Sequence, residues 1–60
     1  MPYLMRNNKV ERIGSNLQLV DYIKIHYHQD KWVKETKEKL STNKESFKLV
    51  LERLGLKLIE

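Results

Sequence analysis

The sequence predicts a mainly α domain: a small three-helix, helix-turn-helix-like unit with short extended segments at both ends. Three observations carry this. The only Pro is Pro2 and the only Gly are Gly14 and Gly55, so nothing between Ser15 and Leu54 interrupts a helical backbone. Apolar residues recur in that stretch at three- and four-residue spacings. Helix-capping residues stand where such helices would begin. The chain of 60 residues has room for one domain. It divides into an N-terminal arm or hairpin over 1–14, a helical core over 15–55 and an extended tail over 56–60.

Tyr3 to Ile13 reads as an arm or as a short hairpin turning at Asn7-Asn8. Asn16 to His28 carries two patterns. Ile23, Ile25 and Tyr27 alternate with Lys24, His26 and His28 as in a strand. Leu19, Val20, Ile23 and Tyr27 instead form a helical stripe, and Ser15 with Gln18 makes a capping box. The adjacent pairs Leu19-Val20 and Tyr22-Ile23 break the alternation, so a helix is expected.

A second helix is expected after Asp30, an N-cap residue. Trp32, Val33, Thr36 and Leu40 share its inner face. Lys31–Glu35, Lys34–Glu38 and Glu35–Lys39 stand four residues apart on the rest of its surface, and Ser41-Thr42 ends it. The third helix, about 43–54, has the fullest signature. Thr42 and Glu45 form a capping box. Phe47, Val50, Leu51 and Leu54 make one stripe. Gly55 suits a left-handed cap, with Leu56 placed for the contact over Leu51 that goes with it. Leu56 to Ile59 reads as a short strand, able to pair with the N-terminal segment or across a dimer.

Size and charge narrow the function. A chain this short buries only about 60% of the surface it exposes when unfolded. It has no Cys to staple it or to hold zinc. An enzyme with its own pocket is not expected; a binding module is, and a homodimer would ease the stability problem. Twelve Lys and Arg against eight Asp and Glu give a net charge of +4, which favours an acidic partner. No cofactor is implied. His26, His28 and Asp30 are too few to hold a metal without Cys or a third His. The longest apolar run, Leu49-Val50-Leu51, is far too short to span a bilayer. The absence of Cys and of a leader-like apolar run points to a soluble, cytoplasmic protein without a membrane partner.

The run Tyr22-Ile23, Tyr27-His28-Gln29-Asp30, Leu40, Phe47 and Val50 resembles the first helix-turn-helix half of AraC-type regulators, over residues 20–55 without a gap. Thr36 and Lys37 stand where that family prefers Leu-Ala, and Ser41 where it usually has Gly. The resemblance implies a transcriptional regulator that binds duplex DNA. Asn43, Lys44, Ser46 and Lys48, at the start of the third helix, are then the candidates to meet base edges. Arg53, Lys57, Lys34 and Lys37 are the candidates for phosphates. The competing reading is a small protein-binding modulator, an inhibitor or antagonist of a larger partner. Exposed apolar tails at Tyr3-Leu4-Met5 and Leu58-Ile59 would suit it.

Overall fold

A computed structural model describes residues Met1–Glu60. In chain order it contains β1 (Tyr3–Arg6), β2 (Lys9–Ile13), α1 (Asn16–His26), α2 (Lys31–Thr36), α3 (Lys44–Leu54) and β3 (Lys57–Ile59). The mainly α expectation is overturned. The two ends of the chain form a three-stranded antiparallel sheet of order β2-β1-β3, which makes the protein α+β.

The N-terminal segment is the hairpin alternative. Asn7 and Asn8 both take positive φ, 50° and 66°. A two-residue turn between right-twisted strands requires this, and Asn tolerates it. The register Leu4↔Arg12, Met5↔Val10 leaves Glu11 as an extra residue in β2. Such a bulge breaks the two-residue alternation of the strand. Glu11 and Arg12 both reach the helices: Glu11 bonds to Tyr22 and Tyr27, and Arg12 lies 5.7 Å from the Tyr22 ring centre.

α1 forms as expected and its capping box is present, with Ser15 Oγ accepting from the Gln18 N–H and Gln18 Oε1 accepting from the Ser15 N–H. Asp30 caps α2 by accepting from the N–H groups of Trp32 and Val33. α2 stops at Thr36, short of the expected end at Ser41-Thr42. The Thr36 hydroxyl donates to the Trp32 carbonyl oxygen at 2.6 Å, a back-bond of the kind that slightly destabilises and bends a helix. The N–H groups of Lys39 and Leu40 both turn to the Thr36 carbonyl oxygen. The turns over 37–42 therefore still bring Leu40 into the core. None of the expected lysine–glutamate pairs on α2 closes: the ion pairs are Arg6–Glu11 and Lys44–Glu60.

The start of α3 differs by one residue from expectation. Asn43, not Thr42, is the N-cap, its side-chain oxygen accepting from the Glu45 and Ser46 N–H groups. The helix ends as the sequence indicates. Gly55 has φ 77°, its N–H reaches the Glu52 carbonyl oxygen, and the Leu56 N–H reaches that of Leu51. This is the Schellman pattern.

One core joins all of this. Leu4, Leu19, Val20, Ile23, Val33, Leu40, Phe47, Val50, Leu51 and Leu56 are buried together. The helices cover one face of the sheet, the face of Leu4 and of its cross-strand neighbour Leu58. Side chains alternate along a strand, so Tyr3, Met5, Lys57 and Ile59 point to the opposite face. Their β2 partners Ile13 and Val10 do likewise, and these two are 58% and 52% exposed.

Candidate nucleic-acid interface

The eight candidate residues for DNA contact differ in how far the fold already engages them. Three, Asn43, Lys44 and Arg53, are engaged within the fold. Asn43 spends its side-chain oxygen on the α3 cap. Lys44 Nζ lies 2.6 Å from Glu60 Oε1, and that bond holds the Glu60 carboxyl below the usual range. Ser46 is half-buried beside the cap. Arg53 stacks over Trp32, with its guanidinium carbon 3.9 Å from the ring centre. This contact ties α3 to α2 and leaves the guanidinium edge for an outer partner.

The other four are free cations in two groups. Lys48 and Lys57 line an open trough of about 560 Å³ between α3 and the β3 edge, together with Asn7, Asn8 and Glu52. Lys34 and Lys37 border a depression of about 250 Å³ on α2 and the following turn, with Lys39, Glu35 and Glu38. All four lysines are exposed and form no ion pair. The charge is uneven along the chain. Residues 31–60 hold eight Lys and Arg against five Asp and Glu, whereas residues 1–30 hold four against three. An exposed cluster of this kind attracts an anionic polymer through long-range attraction and counterion release, without specifying a base sequence.

Asn7 and Asn8 are additions that sequence reasoning had placed only in a turn. Their neighbourhood to Lys48 and Lys57 arises because β1 pairs with β3, a contact with no local signal. A second addition is a polar brace on the helix side of the sheet. The Glu11 carboxylate accepts from Tyr22 at 2.9 Å, from Tyr27 at 2.5 Å and from Arg6 Nε at 3.0 Å. Arg6 also donates to the Tyr27 hydroxyl and to the Leu54 carbonyl oxygen, each at 2.8 Å. Burial works to raise the Glu11 pKa, but hydrogen bonds from Tyr27, Arg6 and Tyr22 outweigh it and hold the carboxyl below its ordinary value. Burial, then the bond to Glu11, pushes Tyr22 up to about 12. No buried side-chain polar atom lacks a partner. The brace is internally satisfied and holds strands to helices.

His26 packs on Tyr22, ring centres 4.4 Å apart, and His28 Nδ1 lies 3.0 Å from the Ile25 carbonyl oxygen. No three His, Cys, Asp or Glu side chains gather as a metal site. No helix is long and apolar enough to cross a membrane. Comparison with protein-family models, with curated proteins and with solved structures gave no match.

Proposed function

We propose that this chain is a small cytoplasmic DNA-binding protein that holds duplex DNA mainly through its phosphates. The observation that carries the reading is the convergence of the unpaired lysines Lys48 and Lys57 on one open trough beside α3, with Asn7 and Asn8 at its end. Lys34 and Lys37 extend the positive surface along α2, and the edge of Arg53 adds a further donor. A regulatory role follows the resemblance of residues 20–55 to an AraC-type half. Asn43 and Lys44, expected at base edges, each make contact within the fold, the Asn43 side-chain oxygen at the α3 cap and Lys44 Nζ at Glu60, so the reading rests on the lysines that have no ion-pair partner.

Fluorescence anisotropy with a labelled generic duplex, over a range of salt, tests the reading. Phosphate contacts make log affinity fall linearly with log salt. Absence of binding at low salt would reject it. A second reading then takes over, that of a protein-binding modulator. It rests on a different observation, the exposed apolar residues Val10 and Ile13 of β2.

A further inference from the structure

We propose that Trp32 is a positioning residue for phosphate binding: it holds the Arg53 guanidinium flat, with Lys31 at the same indole, as a prearranged clamp for a backbone phosphate of duplex DNA. The inference rests on the phosphate-binding reading above and adds to it a site shared by α2 and α3. The Arg53 guanidinium carbon stands 3.9 Å from the centre of the Trp32 ring. A separation that short places it over the ring face, because the ring's own radius would hold off an approach in its plane. Lys31 Nζ stands 5.9 Å from the same centre, so the two cations lie within about 10 Å of one another. Both residues are exposed, and neither forms an ion pair. Trp32 is half-buried and packs against the core. The ring is therefore fixed while both cations are open to solvent.

The chemistry of the pair selects the ligand. Two unpaired cations around one ring repel each other, and an anion between them removes that cost. The indole face offsets part of it in the free protein. A stacked guanidinium has already given up much of its rotamer freedom. Ordering a long side chain only on binding costs a factor of about two to ten in affinity. Stacking uses the face of the guanidinium and leaves its fork of N–H donors at the edge, the part that meets a phosphate in two parallel bonds. Lys31 adds a point charge. The Asp30 carboxylate next to it is turned inward, accepting from the Trp32 and Val33 N–H groups. Lys34 follows Lys31 by three residues and Lys37 follows Lys34 by three, so neighbours in this row share one side of α2. Each step rises about 4.5 Å along a helix. The row begins at the Trp32 ring and leads away from it, as contacts to successive phosphates of a strand would.

Trp32 is the only Trp of the chain, so its emission reports on this site alone. The full chain is titrated with a generic duplex and, separately, with inorganic phosphate at equal phosphate concentration and ionic strength. We expect the duplex to change Trp32 emission over the concentration range in which anisotropy reports binding, and inorganic phosphate to leave it unchanged. Arg53→Gln, at an exposed site, should remove most of the change. A cycle of variants read by duplex affinity then isolates the positioning role. Arg53→Lys should weaken binding about two- to tenfold in the parent, with the salt slope unchanged because the charge is kept. In a Trp32→Leu background the same change should cost less than about twofold. With Trp32→Phe, which keeps a ring face, part of the Arg53→Lys loss should return. A Trp32 with a structural role only would give the same Arg53→Lys loss in every background. The emission titration needs no change at Trp32, so it decides the matter even where Trp32→Leu unfolds. Equal Arg53→Lys losses in all backgrounds, or unchanged emission on a duplex that anisotropy shows to be bound, would overturn this inference and leave the DNA reading standing. So would an emission change that is undiminished in Arg53→Gln or reproduced by inorganic phosphate. Absence of duplex binding at low salt would overturn both.

Discussion

The Arg6 guanidinium donates to the main-chain carbonyl oxygen of Leu54 at 2.8 Å. This bond ties the end of the first strand to the last turn of the third helix. A helix leaves its final carbonyl groups without internal partners, and a cation is a favourable one. The same guanidinium holds Glu11 and Tyr27. A single side chain therefore joins the hairpin, the end of α1 and the end of α3.

Arg6→Ala should destabilise the protein by about 2–3 kcal/mol, since it removes charge-assisted bonds worth about 1.5–3 kcal/mol each, less a discount for partial exposure. Arg6→Lys should recover only part, because an ammonium lacks the planar fork that reaches several acceptors at once. Urea denaturation followed by circular dichroism measures both. A loss under about 0.5 kcal/mol for Arg6→Ala, the range of ordinary surface changes, would refute the bracing role.

Phe47 is 3% exposed and opens the α3 stripe in the core. Phe47→Ala should cost about 3–5 kcal/mol. A small domain has about 5 kcal/mol in total, so the variant should show no cooperative melt. A melt within a few degrees of the parent would contradict this.

The cap assignment separates two neighbouring residues. Asn43→Ala should cost about 1 kcal/mol, the usual loss for a capping side chain. Thr42→Ala should stay within about 0.5 kcal/mol, as for other surface positions. The reverse order in denaturation midpoints would restore Thr42 as the cap.

The brace sets stability against pH at both ends of the scale. The Glu11 pKa is depressed in the fold. Its contribution is present above the ordinary carboxyl range and is lost as pH falls through the lower folded value. Tyr22 is raised to about 12. Its contribution is present below the ordinary tyrosine value near 10 and is lost as pH rises from there toward the folded value. Glu11→Gln should flatten the acid limb, and Tyr22→Phe should flatten the alkaline limb. Thermal melts across pH decide this; unchanged limbs in both variants would rule it out.

The same brace shows where the sequence was legible. The helices were, because each has a local signature: Ser15 with Gln18, Asp30 before Trp32, and Gly55 after Leu54. Both ends of the sheet are readable as strands, but the sequence does not decide whether the tail pairs with the N-terminal segment or across a dimer, because the β1–β3 pairings join residues more than fifty positions apart, as in Tyr3↔Ile59. The bulge hid β2 further. Val10-Glu11-Arg12-Ile13 shows no alternation, since two consecutive polar residues turn to the same side. The early end of α2 also had no clear warning. A Thr at the fourth position after Trp32 is common in helices that continue, and here its back-bond coincides with the stop. Of the site, the exposed lysines could be named from sequence. Which of them are free could not, because that depends on Glu60 folding back to Lys44.

That last contact gives the most discriminating test of DNA binding. A lysine that neutralises a phosphate adds about 0.9 to the slope of log affinity against log salt for duplex DNA. Lys48→Ala with Lys57→Ala should therefore lower the slope by roughly two. Lys44→Ala should change affinity little, since its ammonium is already paired with Glu60. Glu60→Gln should strengthen binding and raise the slope by about one, because it frees Lys44 and removes a carboxylate next to the backbone. The bond is exposed, so its loss should leave the fold intact. If Lys44→Ala weakens binding as much as the Lys48, Lys57 pair does, the start of α3 is the contact surface after all. If none of these variants changes affinity or slope, the lysines are a solvated surface and the DNA reading fails.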